Sequence, residues 1–392
     1  MNLKLLIFFL IILSFRFYFF YQNQTRYTDR QRVSFETAIF SEPQVFGSQQ
    51  VFTANLASNQ RIRITTSRFP EFHYGESMRV SGPIQLRLLN NKNMVLSLYF
   101  PKIEAVNPSN TLSTSLAVIN NLRQKLISLF SKTLPAPYSS LLMGIIFGIK
   151  EQMPKDFSDN LRTSGVFHVI AASGMNVTLI GGFISTVLAF FLKRQIAIIL
   201  SIAGIIFYAV LAGLEASIIR ASIMGILVFS SQIMGRQTLA ANGLFLAGFV
   251  MLFISPNLVS DIGFQLSFAS TVGILYIKRL PTTVAAQIAT LPILLANFGT
   301  YSIYSVLVNG LVLWTVPILM MVGGIGAILG LSLETLGQLL IYLCYPLLLY
   351  FESVVRIFGR MGGIITLQAL SWQFIVGYYC LLGSGLIIFR KK

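Results

Sequence analysis

From about residue 141 to its end the chain is a succession of apolar runs, and this feature limits its fold more than any other. The runs lie near 166–192, 196–213, 217–234, 238–254, 262–277, 283–299, 304–330, 335–352 and 371–389, separated by short polar or basic turns. A helix needs ~20 apolar residues to cross a ~30 Å hydrocarbon core, and inside lipid it must satisfy its own backbone. A chain of 392 residues that is 55% hydrophobic and 11% charged, with a mean hydropathy of +0.73, cannot hide that surface in a water-soluble globule. The expected fold is a mostly α polytopic membrane protein with about ten transmembrane helices. One run, LLMGIIFGI at 141–149, is too short to span and reads as a re-entrant segment.

Charge sets the expected orientation. Lys and Arg number 29 against 13 Asp and Glu, a formal net charge of +16. If the spans alternate, Lys193-Arg194, Arg236, Lys278-Arg279 and Arg390-Lys391-Lys392 share one side, while Arg356 and Arg360 fall on the other. Basic loops mark the cytoplasmic side, which places the chain in the cytoplasmic membrane with both termini in the cytoplasm. The same excess attracts polyanions. Cys344 and Cys380 lie in apolar runs and read as small core residues, and the histidines are His73 and His168. That inventory is too poor for a metal centre, so no metal or cofactor is expected.

Before the runs the composition changes. Residues 1–21 have a basic start, an apolar stretch and an aromatic end without a small-residue cleavage site, which reads as a signal-anchor helix. Residues 22–105 are polar with strand-like alternation, clearest in RIRITTS (61–67), where Ile62 and Ile64 oppose Arg61 and Arg63. Five or six such segments between Gly, Pro and Asn turns fit a small extracellular β-barrel, and a β-sandwich fits the same periodicity. Residues 106–135 carry an apolar stripe of Leu112, Leu116, Ile119, Leu122, Leu126 and Phe130 with Arg123 and Lys125 off it, an amphipathic helix for the membrane surface. Residues 136–392 form the membrane domain.

Ionisable and polar side chains inside spans are costly and become functional candidates by default. The ionisable ones are His168, Glu215, Arg220 and Asp261; Ser173, Asn176, Gln265, Gln287 and Asn309 add hydroxyls and amides. Asp261 and Gln265 share a helix face at i and i+4, and Asp261 also suits an N-cap. Glu215 and Arg220 are about 140° apart on a helix, which points to partners on other helices. His168 and Ser173 are similarly separated, so a Ser/His hydrolase would require an unwound Ala172-Ser173-Gly174. In the outer domain Arg61, Arg63 and Arg68 interleave with Phe69, Phe72, His73 and Tyr74, a pattern suited to phosphates and stacked bases.

Four stretches, LLMGIIFGIKEQMPKDFSDNLRTSGVFHVIAASGMNVTLIGG (141–182), YAVLAGLEASIIRASIMG (208–225), ISPNLVSDIGFQLSFASTVGILYI (254–277) and 285–323, occur in an order that resembles the ComEC-type competence proteins. His168, Ser173, Gly174 and Val177 stand at matching places, and Met175-Asn176 replaces the usual Leu-His. The segment 30–105 resembles that family's extracellular OB-like domain more loosely. The resemblance implies a channel that passes single-stranded DNA through the cytoplasmic membrane during natural transformation, without catalysis in this chain. It implies His168, Ser173, Gly174, Asn176, Glu215, Arg220, Asp261, Gln265 and Asn309 as pore-side residues. Arg61, Arg63, Arg68, Phe72 and Tyr74 would contact DNA outside. The metallo-β-lactamase-like nuclease domain of many members has no counterpart before Lys392. The expected partners are therefore single-stranded DNA, the lipid bilayer, and a separate DNA receptor, nuclease and cytoplasmic motor or ssDNA-binding proteins. A transporter of a small anionic solute and a membrane-embedded Ser/His hydrolase are the competing expectations.

Overall fold

The computed structural model describes residues 3–23, 27–39, 43–56, 60–72, 76–89, 93–106, 111–149, 153–170, 174–235, 239–366 and 372–390. The chain forms two compact units, Ser14–Ser128 and Met1–Leu13 with Leu129–Lys392.

The smaller unit is built on strands β1 (Arg32–Ala38), β2 (Gln44–Phe46), β3 (Gln49–Asn55), β4 (Arg61–Ser67), β5 (Ser77–Pro83), β6 (Gln85–Leu89), β7 (Asn93–Tyr99) and β8 (Lys102–Ala105). They make two sheets, β1-β5-β8 and β2-β3-β4-β7-β6. The closed barrel expected from the sequence is corrected to this pair of sheets. Alternation dictates which face of a strand is buried, but it does not dictate the neighbouring strand. Here β3 and β4 are antiparallel, with Thr53 opposite Arg63, and β4 then pairs in parallel with β7, Ile64 opposite Leu98. The inward residues Phe52, Ala54, Ile62, Ile64, Met78, Val80, Ile84 and Leu98 form one apolar core, while Arg61 and Arg63 point out.

The larger unit is helical. An N-terminal helix α1 (Leu3–Gln22) contributes its first half, and Phe9 packs edge-on against Phe245 and Phe249. The chain returns through α2 (Thr111–Thr133), α3 (Tyr138–Phe147) and α4 (Lys155–Thr163). Then follow α5 (Gly174–Ala189), α6 (Arg194–Leu211), α7 (Ala216–Ile233), α8 (Ala240–Ile254), α9 (Ile262–Tyr276) and α10 (Thr282–Phe298). A strand β9 (Thr300–Ser302) leads to α11 (Ser305–Val312), α12 (Thr315–Gly330), α13 (Glu334–Leu343) and α14 (Tyr345–Arg360); β10 (Ile364–Thr366) pairs back with β9, and α15 (Trp372–Arg390) ends the chain. Arg123 of α2, expected off the apolar stripe, is buried.

Among the described residues three segments are long and apolar enough to cross a membrane, Phe167–Phe191, Arg194–Leu211 and Ala216–Ile233. The pairs α11 with α12 and α13 with α14, bent by 45° and 41°, raise this to five. Against about ten spans expected, α8, α9 and α10 are apolar but only about 22–26 Å long. Hydropathy runs continue through caps and kinks that shorten the helices themselves.

Small residues let these helices close on one another, as packing between apolar helices in lipid requires. A side chain at Gly273 of α9 would put its Cβ 2.6 Å from the Ala285 carbonyl and the Ala289 methyl of α10. Gly337 of α13 lies equally close against Gly330 of α12. Pro292 in α10 cannot donate to the carbonyl four residues back, that of Ile288. The Tyr378 hydroxyl of α15 donates to that carbonyl at 2.9 Å, and Tyr379 donates to the Ala289 carbonyl at 2.8 Å.

Candidate functional site

The stretch that carries His168 is broken rather than helical throughout. Helix α4 ends in a glycine-terminated cap: the Val166 N–H bonds to the Leu161 carbonyl at 3.0 Å and the Gly165 N–H to the Arg162 carbonyl at 3.1 Å. Gly165 has φ +80°, the left-handed conformation that this motif assigns to glycine. One 3-10 turn, Phe167–Val169, follows, and α5 starts at Gly174. Ser173 lies outside the described residues, so no nucleophile geometry is assigned. The His168 side chain is exposed on this turn, between buried Val166 and Val169.

Gly165 is also the floor of a polar cluster. A Cβ there would lie 2.6 Å from the Cβ of Ser305 and 3.0 Å from that of Ser302. The Ser305 hydroxyl donates to the Gly165 carbonyl at 3.2 Å. It accepts from Gln287 Nε2 at 2.8 Å and from Asn309 Nδ2 at 3.3 Å. Gln287 Oε1 in turn accepts from the Tyr301 hydroxyl at 2.9 Å. Asn309 Oδ1 and Ser302 Oγ are buried with no hydrogen-bond partner. Two orphan oxygens in one buried cluster mark a place ready to take a donor.

Asn176 occupies a different place. It is buried, and its Nδ2 donates to the Ile145 carbonyl at 2.8 Å, beside the Tyr208 hydroxyl on the Ile146 carbonyl at 2.9 Å. The Gly148 N–H closes the Gly144 carbonyl at 2.9 Å. Together they satisfy the last turn of the ten-residue helix α3, which is how so short a helix ends inside an apolar unit. Asp261 caps α9, accepting from the Phe264 N–H at 2.9 Å. Gln265 donates to the Val259 carbonyl at 2.8 Å. It also edges an apolar cavity of about 500 Å³ lined by Phe268, Val272, Tyr276, Ile293 and Tyr379.

Glu215 and Arg220 are not paired with each other. Glu215 stands at the N-cap of α7 after a turn with Gly213 and Leu214 both at positive φ. Arg220 is 8% exposed; its Nε donates to Ser267 Oγ at 2.7 Å and its Nη1 to Thr271 Oγ1 at 2.5 Å, both on α9. Ser267, Thr271, Ser305 and Gly165 were not singled out in the sequence. The legible signals were a hydroxyl pair at i and i+4 in QLSFAST and a glycine directly after a polar amphipathic helix.

On the outer unit Arg79 pairs with Glu36 at 2.5 Å and Lys102 with Glu104 at 2.7 Å. The Lys102 ammonium holds the Glu104 carboxyl below its usual range. Four charged residues of the three-stranded sheet, Glu36, Arg79, Lys102 and Glu104, are thus paired. Arg63 on β4 is exposed and has no ion-pair partner among the described residues. Arg68 lies 5.4 Å over the Phe69 ring and 3.6 Å from Glu71. Phe72 turns inward, edge-on to Phe52 at 5.8 Å. Tyr74 lies outside the described residues. The buried amide of Gln50 anchors this loop: Nε2 donates to the carbonyls of Ser67, Arg68 and Pro70 at 2.8, 3.2 and 2.6 Å, and Oε1 accepts from the Phe72 N–H at 3.2 Å.

Apolar helices of membrane-crossing length, packed through small residues around buried polar side chains, define a membrane protein with a polar interior. More narrowly, the chain belongs to the Competence protein family, whose model matches residues 145–392. It is 25% identical over 242 residues to ComE operon protein 3 of Bacillus subtilis (strain 168), covering 58% of this chain and 31% of that protein. It is 27% identical over 202 residues to an uncharacterized protein of Aquifex aeolicus (strain VF5), covering 48% of each. The chain therefore spans less than half the length of either relative. No solved structure matches it.

Proposed function

We propose that this protein acts in DNA uptake for natural transformation, as a cytoplasmic-membrane channel that passes single-stranded DNA inward. Family membership supports the process, since the model that matches residues 145–392 is that of a competence protein. The observation that carries the channel reading is the open His168 ring at the head of the Gly165–Ser305–Gln287 cluster. A polyanion crossing lipid needs a water-filled path with polar lining, and polar groups at membrane depth persist where they face such a path or each other.

The outer unit is the strand's receiving surface in this reading. Arg61 and Arg63 project from β4 beside Thr53 and Asn55 of β3, a basic, hydrogen-bonding sheet face. Such a face engages backbone phosphates without reading sequence. In this reading the termini lie in the cytoplasm and the outer unit outside, an orientation that most of the basic turns favour. Strand separation and degradation fall to other proteins, and no reaction is assigned to this chain.

The test is uptake of labelled DNA in a deletion strain complemented with this chain. His168→Ala is expected to lower uptake while membrane insertion stays normal. Full uptake by that variant would remove the ring from the path. Uptake that does not depend on the chain at all, with transport of a small anion by proteoliposomes instead, would replace the channel by a solute transporter.

A further inference from the structure

Arg220 is a buried cation without an anion. The ion pairs of the membrane unit among the described residues are Lys132–Glu334 and Arg356–Glu352. Arg220 enters neither, and all its hydrogen-bond acceptors are neutral: Ser267 Oγ, Thr271 Oγ1 and the Met224 sulfur. Hydroxyls orient a guanidinium but do not cancel its charge, and a buried unpaired charge costs several kcal/mol. The scaffold does hold it rigidly. Thr271 Oγ1 donates to the Ser267 carbonyl at 2.9 Å, which turns its lone pairs toward Nη1.

The remaining nitrogen, Nη2, makes no hydrogen bond among the described residues and lies against the first residue of α5. A Cβ at Gly174 would lie 2.9 Å from it and 3.4 Å from the Ala221 Cβ, so the absence of a side chain is what lets the guanidinium come this close to the start of α5. The first amides of the 16-residue helix α5 have no intrahelical acceptor and carry the positive end of its dipole. Two positive groups thus converge on one small space, an arrangement that is repulsive when empty and attractive to an oxyanion.

We infer that Arg220 Nη2 and the first turn of α5 form an oxyanion station inside the membrane unit, which takes the phosphodiester groups of a DNA strand one at a time. The ownership of the phosphate rests on the proposed channel reading; the oxyanion chemistry does not. The station suits transit because a single cation without a carboxylate counterpart binds firmly enough to admit a phosphate and loosely enough to release it. Arg220 of α7 lies buried against α9.

The experiment uses the full chain in phosphatidylcholine nanodiscs. Thermal stability and hydrogen exchange of the α5 first-turn amides are followed while inorganic phosphate or a single-stranded oligothymidylate is added. The wild type is expected to gain protection with either ligand. Arg220→Gln, which keeps a hydrogen-bond donor and loses the charge, is expected to bind phosphate about 10- to 100-fold more weakly, the loss typical of one charge-assisted hydrogen bond. Without ligand Arg220→Gln should be no less stable than the wild type, because an unpaired charge is gone. Gly174→Ala should push Nη2 away from the start of α5 and weaken the protection. DNA uptake in cells should fall in both variants. If Arg220→Gln loses stability without ligand and phosphate never protects the wild type, Arg220 is a structural residue and the station is overturned. If His168→Ala then still abolishes uptake, the channel reading stands without it. Protection by phosphate and by phosphatidylglycerol nanodiscs, but not by oligothymidylate, would overturn DNA as the owner and assign the site to lipid headgroups.

Discussion

Gly165→Ala tests whether the cluster beneath His168 is a built site or incidental packing. The added Cβ would meet Ser305 Cβ at 2.6 Å and Ser305 Oγ at 2.8 Å, closer than real contacts allow, and Ser302 Cβ at a tight 3.0 Å. Gly165 also has φ +80°, so alanine incurs a left-handed penalty of about 1 kcal/mol. Relief of the clash must move Ser305 and loosen its bonds to the Gly165 carbonyl, Gln287 and Asn309. Overpacking of this kind costs about 1–3 kcal/mol, which brings the total to about 2–4 kcal/mol. The control is Gly182→Ala in α5, where a Cβ meets nothing within 4 Å. There alanine should be neutral or stabilising by up to about 1 kcal/mol, since it only improves helix propensity. Denaturant stability of the purified chain in nanodiscs and DNA uptake in cells are read for both variants. Equal stability and equal uptake would refute the cluster's role in holding the His168 turn.

Asn176→Leu and Tyr208→Phe should each orphan one carbonyl of the last turn of α3 and cost about 1–3 kcal/mol, measured as faster hydrogen exchange across 141–149. Gln50→Leu should unpin residues 67–72 by removing four hydrogen bonds, raising exchange there and lowering the outer unit's stability by about 2–4 kcal/mol. Arg63→Ala should weaken oligonucleotide binding and reduce the slope of log affinity against log salt by about 0.7, the contribution of one single-strand phosphate contact. An unchanged slope would remove Arg63 from the receiving face.

Several features were legible without coordinates. RIRITTS buries Ile62 and Ile64 and exposes Arg61 and Arg63, because a two-residue period fixes sides wherever one face packs. Arg220 takes its hydrogen-bond partners on α9 and not from Glu215 five residues before it. Asp261 proved to be an N-cap, one of the two roles open to it. Asn176, grouped with the pore side by its place in the polar stretch, is buried and closes the last turn of α3. Periodicity reports a residue's direction on its own element, and says nothing of the carbonyl that waits opposite.

What the sequence by itself determined is the class of molecule: apolar runs demand a bilayer, a +16 charge suits a polyanionic partner, and ordered motifs point to the competence family. These are local or additive properties of residues, readable in one dimension. Only the tertiary structure decided the chemistry of the interior. Arg220 meets Ser267 and Thr271 from 47 and 51 residues away, and Ser305 reaches Gly165 across 140. A hydrogen bond forms or fails within a few tenths of an ångström, and that closeness is set by how the helices pack.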